Sequence, residues 1–187
     1  MQKLRNYIFG AVIVALVGAA MVACEASDEF APKQRVQIES FLAQNSLEYR
    51  LTSDSVYVHT AYNPLPEGDQ TVIQSGDKVK YNFEAYTFNG RPATLPYYTN
   101  KEWRAEQLAE QLGDVIDTSF WDFEPVSVRL GGEPILKGLE SALPSCRKGD
   151  SVVVFLTSSN AYGDRHVGVV PANTAVMMVL NILDVEK

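Results

Sequence analysis

Residues 125–143 read PVSVRLGGEPILKGLESAL, and the chain continues PSCRKGDSVVVFLTSSNAYG to residue 163. VSVRL and SVVVFLT are short, valine-rich runs that read as strands. Between them, PILKGLESAL opens on a proline and places Ile135, Leu139 and Ala142 on one helical face. The stretch therefore predicts strand, short helix, strand. With no βαβ rhythm around it, this order points to an antiparallel sheet packed on a helix.

Downstream, NAYGDRHVGVVPANTAVMM covers residues 160–178. Valines on a loop expose apolar surface, which a soluble domain tolerates when something covers it or binds it. This loop is a candidate pocket wall. TAVMMVLNILDVE is the last predicted strand. Upstream, VKYNFEAY puts Val79, Tyr81, Phe83 and Ala85 on one face of a strand. NGRPATLPYY is turn-rich. TNKEWRAEQLAEQLG then predicts a surface helix inserted into a strand connection: Thr99 and Glu102 have capping-box spacing, Ala105, Leu108, Ala109 and Leu112 share a face, and Gly113 terminates it.

Nearer the N-terminus, Pro32 suits a first helical turn, and Ile38, Phe41 and Leu42 share a face of a helix running to Gln44. LEYRLTSDSVYVHTAY alternates as one or two strands with Thr52 to Ser55 as a turn, and NPLPEGDQ is loop. The first residues, MQKLRNYIFGAVIVALVGAAMVAC, have a basic start, an apolar run and then Ala23-Cys24, the layout of a secretory signal. MVAC resembles the lipobox of bacterial lipoproteins, which implies lipid on Cys24. EASDE after it resembles the export tether of some Bacteroidota surface lipoproteins. An uncleaved single-pass anchor is the alternative reading.

Composition narrows the function classes. A chain of 187 residues with 46% hydrophobic content can bury one sizeable core. The formal charge is −7, and loss of residues 1–23, which hold Lys3 and Arg5 and no acid, makes it −9. Such a surface repels phosphate backbones, so nucleic acid is not expected as a partner. There is no P-loop or dinucleotide fingerprint. If Cys24 is acylated, Cys146 has no partner within the chain and reads as a buried small hydrophobe. His59 and His166 lie far apart and no cysteine pair accompanies them, so no metal site is expected. Asp122 and Glu124 read as a solvated loop edge. Ser151 begins a strand without a nucleophile elbow, which argues against a triad.

In order, GDKVKYNFEAY, IDTSF, PVSVRLGGEPILKGLESAL, RKGDSVVVFLTSSNAYG and VVPANTAVMMVLNILDVE resemble the FKBP-type peptidyl-prolyl cis-trans isomerase domain over Ser75 to Lys187. The resemblance implies an α+β fold: an antiparallel twisted β-sheet wrapped on a short central helix, with an inserted surface helix and an N-terminal helix-strand extension. It divides the chain into a signal (1–23), a tether (24–32), an extension (33–74) and an FKBP-like domain (75–187) with an insertion near 90–114.

The site residues follow by the same resemblance. Tyr162 matches the pocket tyrosine whose hydroxyl donates to a substrate carbonyl, and Asp117 matches the pocket aspartate. Val169 and Val170 match the apolar loop pair. Ile135 and Leu136 match the pair before the central helix, where the Leu136 backbone N–H would hold a carbonyl. Leu139 stands where the pocket floor usually has Trp, Ile116 where it has Phe, and Phe83 where it has Tyr, while Val126 and Met178 replace two further Phe. The cleft is thus expected to stay apolar and to lose aromatic wall area.

Prolyl isomerisation needs no cofactor, metal or nucleophile. Amide resonance sets a barrier of ~18–20 kcal/mol, and a water-excluding site that binds the twisted amide better than either planar form lowers it. The expected partners are proline-containing segments of exported proteins, met at the cell envelope, where an N-terminal lipid would hold the chain to a membrane, the outer membrane being the expected one. A non-catalytic peptide-binding or chaperone-like module, and a structural surface protein with a self-filled pocket, are the alternatives. At residue level, the alternative to the favoured pocket role is a packed turn residue for Tyr162 and the head of an Asx-turn with Thr118 and Ser119 for Asp117, while the Tyr97, Tyr98 and Trp103 segment reads either as a partial cover for the pocket or as packing elsewhere.

Overall fold

The computed structural model describes residues 29–113, 117–119 and 121–187. Their order is α1 (Phe30–Gln44), β1 (Arg50–Leu51), β2 (Tyr57–Tyr62), β3 (Lys78–Phe88), β4 (Tyr98–Thr99), α2 (Glu102–Leu112), β5 (Val126–Arg129), α3 (Lys137–Ala142), β6 (Ser151–Leu156) and β7 (Ala175–Glu186). The fold is α+β. All the strand pairings are antiparallel, in the order β1-β2-β6-β7-β3-β4 with β5 also on β3. Helix α1 starts at Phe30, so the end of the stretch expected to be tether is already helical.

Period-two alternation along β3 decides both faces of the sheet. Val79, Tyr81, Phe83 and Ala85 enter a front cluster with Leu139, Ala142 and Leu143 around α3 and with Val152, Val154, Leu156, Met178 and Leu180. Tyr86 and Phe88 enter a back cluster with Tyr57, Phe155 and Met177, closed by Ile38 and Leu42 of α1. The back is aromatic: Phe41, Phe88 and Phe155 meet edge-on or tilted at 5.5–5.7 Å between centroids, a geometry that aligns ring edges with ring faces.

Strand β3 carries β7 along one edge and shares the other. β5 pairs residues 78–81, and β4 pairs Glu84 and Ala85. The backbone between them is not left bare. Thr99 Oγ1 donates to the Phe83 carbonyl (2.6 Å), and Asn100 Oδ1 accepts from the Phe83 N–H (2.7 Å). Asn100 Nδ2 crosses to the Glu124 carbonyl (3.0 Å) and ties the two neighbours together. Both side chains are buried, where an unpaired main-chain group is costly. This corrects the expected capping box: Lys101, not Thr99, is the N-cap of α2 and its own side chain does not cap the helix, while Thr99 Oγ1 donates to β3 and accepts from the Lys101 N–H (3.1 Å). Gly113 does terminate α2, at φ 57°.

Two long-range devices position the front loops. Gln34 of α1 accepts from Ser158 N–H (2.8 Å) and donates to the Asn173 carbonyl (2.8 Å), bridging the turns after β6 and before β7. Gly138 in α3 sits so close to β6 that an added Cβ would lie 2.3 Å from Leu156 Cδ2 and 3.0 Å from the Asn160 carbonyl oxygen.

Candidate functional site

The front face opens into a cleft of about 280 Å³, lined by Tyr81, Phe83, Ala85, Tyr98, Val126, Pro134, Ile135, Leu136, Leu139, Tyr162 and Met178. Alternation on β3 supplies Phe83, the register of β7 places Met178 opposite Ala85, and β5 brings Val126 against Tyr81. Leu139, 3% exposed, forms the floor from the first turn of α3. A larger groove of about 540 Å³ lies between α1 and the turn before β7, lined by Lys33, Gln34, Gln37, Asn89 and Thr174 among others. The smaller cleft is the candidate site because its walls are apolar and its polar groups are few and convergent, which is the pattern of ligand pockets.

The lining carries three phenol hydroxyls, of Tyr81, Tyr98 and Tyr162, and the start of α3 adds a backbone N–H. Leu136 is the N-cap of α3, and its backbone N–H has no acceptor among the described residues. Tyr162 stands at the rim, on a turn fixed by Gly163 N–H donating to the Ser158 carbonyl (2.7 Å). Gly163 adopts φ +65°, a left-handed conformation that glycine accepts without a Cβ penalty. The Tyr162 hydroxyl lies 3.0 Å from that of Tyr97, with the rings edge-on at 6.4 Å. Burial, and then the hydrogen bond to Tyr162, pushes the Tyr97 phenol far above its ordinary value. Burial also raises Tyr81 to about 12. Both phenols therefore stay protonated at neutral pH, and the cleft presents hydroxyls rather than charge.

Seven of the expected residues converge here: Phe83, Val126, Ile135, Leu136, Leu139, Tyr162 and Met178. Three do not. Asp117 is exposed and outside the cleft lining: its Oδ1 accepts from the N–H (2.9 Å) and hydroxyl (2.5 Å) of Ser119. Those bonds, hydroxyl first, lower its carboxyl below the ordinary value. The Asx-turn reading of Asp117 replaces the pocket one. Val169 is 73% exposed and faces the larger groove. Val170 is buried, at the closing position of a tight turn in which it exchanges backbone bonds with Val167 (2.9 and 3.0 Å). Ile116 and Cys24 lie outside the described residues.

The sequence left the Tyr97, Tyr98 and Trp103 segment open between a partial cover for the pocket and packing elsewhere, and Tyr98 lines the cleft. Tyr98, from the inserted segment, packs edge-on to Phe83 (5.3 Å) and to Trp121 (5.1 Å), and Tyr81 continues the row behind Phe83 (6.5 Å). The aromatic area expected to be lost at Leu139, Val126 and Met178 is supplied in part from the opposite side. Trp103, by contrast, is exposed and outside the cleft lining. On the back face, Glu84 pairs with Lys101 (2.8 Å) and Arg104 (3.3 Å) of the insertion and accepts from the Tyr86 hydroxyl (2.5 Å). Burial pushes its carboxyl up, but the Lys101 and Tyr86 hydrogen bonds and the two cations outweigh this and leave it below the ordinary value. The inserted segment is thus fastened on both sides of β3.

Cys146 is buried, and burial pushes its thiol up to about 11, so it is unreactive. Among the described residues, no group of three or more His, Cys, Asp or Glu is placed to hold a metal ion, and no helix is long and apolar enough to cross a membrane.

The front face thus combines an antiparallel sheet around a short helix with a largely apolar cleft over that helix and Tyr162 at its rim. Residues 69–182 match the FKBP-type peptidyl-prolyl cis-trans isomerase family, and the chain belongs to that family. It is 32% identical over 73 residues to FK506-binding protein 2 of Debaryomyces hansenii, covering 39% of this chain and 54% of that protein. A second relative, FK506-binding protein 2 of Podospora anserina, is 28% identical over 74 residues, 40% of each chain. The match spans about half or less of these relatives' length. The fold is similar to the crystal structure of FkpA from Escherichia coli, with a TM-score of 0.53 at 16% identity over 96% of this chain and 71% of that one. It is also similar to a peptidyl-prolyl cis-trans isomerase from Pseudomonas syringae pv. tomato, with a TM-score of 0.50 at 14% identity over 86% and 96%.

Proposed function

We propose that the chain is a peptidyl-prolyl cis-trans isomerase that acts on proline-containing segments of exported proteins, held at the cell envelope by lipid on Cys24. The observation that carries this reading is the cleft itself: largely apolar, closed beneath by Leu139, with the Tyr162 hydroxyl and the Leu136 N–H as the donors the reading uses. The reaction breaks no bond and transfers no proton, so the site has two tasks. Its apolar walls take the prolyl ring and exclude water, which removes the solvent hydrogen bonds that favour the planar, charge-separated amide. Its donors hold flanking carbonyls so that the twisted amide is bound better than either planar form. Membership of the family supports the activity, and the order of basic start, apolar run and Ala23-Cys24 supports the anchor.

Two measurements test the two halves. Refolding of a protein whose slow phase is proline isomerisation should accelerate in proportion to added chain. An unchanged slow phase, with the substrate still binding, would leave a peptide-binding module. For the anchor, Cys24→Ala should release the chain from membranes on mild washing, whereas tight retention of that variant would favour an uncleaved span.

A further inference from the structure

The Tyr97–Tyr162 pair joins the inserted segment to the rim of the cleft, and the two hydroxyls are not equivalent. Tyr97 is held by the main chain: its N–H donates to the Ala85 carbonyl (2.8 Å), the next two residues pair with Ala85 and Glu84, and Thr99 and Asn100 lock onto Phe83. Among the described residues its hydroxyl has one partner, the Tyr162 oxygen. Tyr97 is half-buried and outside the cleft lining, and a hydroxyl partly withdrawn from solvent that keeps its proton favours an acceptor, since leaving that proton unpaired carries part of the desolvation cost of the group. Tyr162, in contrast, lines the open cleft and can give its own proton to a ligand or to water. One proton lies between the two oxygens. If Tyr97 donates it, the Tyr162 proton is free to point into the cleft, and a hydroxyl that accepts one hydrogen bond becomes a better donor of the next.

We propose that Tyr97 is a positioning residue, which donates to the Tyr162 oxygen and so turns the Tyr162 O–H toward a carbonyl of the bound proline peptide. The inference rests on the isomerase reading and deepens it. It makes the insertion part of the working site and gives this chain a donor relay built from a segment between β3 and α2. Tyr97 acts through Tyr162 and not on the peptide.

The test is a double-mutant cycle on the full chain, purified with detergent present, using an Ala-Pro-Phe peptide observed by exchange NMR. Wild type, Tyr97→Phe, Tyr162→Phe and the double variant are compared in kcat/KM, in peptide Kd and in Tm. The expected result is a fall of about three- to tenfold in Tyr97→Phe with Tm unmoved, on the order of one neutral hydrogen bond. The double variant should be no worse than Tyr162→Phe alone, because both changes remove the same donor. Independent, multiplicative losses would overturn the relay, as would an unchanged Tyr97→Phe. A Tyr97→Phe variant faster than wild type would overturn it in the other direction, by showing that Tyr97 withholds the Tyr162 proton. A wild type that binds the peptide without speeding exchange would defeat the isomerase reading alone, and the same cycle read in Kd would then decide the relay. A wild type that neither binds nor exchanges the peptide defeats both.

Discussion

The two faces of the sheet are built from the same strands by alternation, yet they differ in kind. The back is aromatic and sealed: Phe88 and Phe155 interlock with Phe41 of α1, and Ile38 and Leu42 complete the cover. The front is mostly aliphatic around α3 and leaves Phe83, Leu139 and Met178 at the bottom of an open cleft. The sealed back and the open front share one layer of backbone, and on the proposed function the back contributes stability while the front holds the peptide.

The sharpest way to break that comparison is Phe155→Ala. The side chain is fully buried in the back cluster, and its truncation should cost ~3–5 kcal/mol, measured by denaturant unfolding. The folded fraction should keep its exchange activity per molecule, since Phe155 does not line the cleft. A parallel fall in specific activity would show that the faces are coupled.

Gly138→Ala tests the front. The new Cβ would meet Leu156 and the Asn160 carbonyl, an overpacking worth ~1–3 kcal/mol. Because Leu139 follows Gly138 and Asn160 precedes the Tyr162 turn, stability and activity should fall together. Loss of one without the other would mean that α3 and the turn move independently.

Glu84 sharpens the comparison at the edge. Its carboxyl is lowered in the folded chain by Lys101, Tyr86 and Arg104 acting against burial. A depressed acid contributes stability above its unfolded pKa and loses it as pH falls through the folded one. Stability should therefore decline on the acid side, from the ordinary carboxylate range downward, and Glu84→Gln should flatten that decline. The variant should also cost about 1–2 kcal/mol near neutrality, less than a fully buried pair because Lys101 can reach water. An acid limb of unchanged slope in Glu84→Gln would assign the pH dependence to other carboxylates.

Much of this was legible beforehand, and the reason is period. Val79, Tyr81, Phe83 and Ala85 alternate over a strand long enough to show it, and Ile38 with Leu42 marks the covered face of α1. Ile135, Leu136 and Leu139 could be placed by the family resemblance of PILKGLESAL, although the helix begins at Lys137 and not at the proline. What failed lacks any period. β4 is two residues long, so its sequence left open whether Tyr98 covers the pocket or packs elsewhere. Thr99 and Glu102 had the spacing of a capping box, but the Thr99 hydroxyl goes to a carbonyl on β3, a tertiary demand that overrides the local motif. Asp117 had the right neighbours for a pocket role and the right ones for an Asx-turn, and the nearer partner, Ser119, took its lone pairs. The Gln34 clamp joins residues more than a hundred positions apart, a distance over which pattern carries no signal.

The smallest expected effect bears on the largest claim. Exchange NMR on an Ala-Pro peptide, with the wild-type chain and with Tyr162→Phe, compares a catalysed rate with a spontaneous one of roughly tens to hundreds of seconds. The account predicts that wild type speeds exchange and that Tyr162→Phe, with unchanged Tm, loses ~0.5–1.5 kcal/mol of that acceleration, the net value of one neutral hydrogen bond. A peptide that shifts the resonances of Leu139 and Met178 on binding while still isomerising at its spontaneous rate would contradict it.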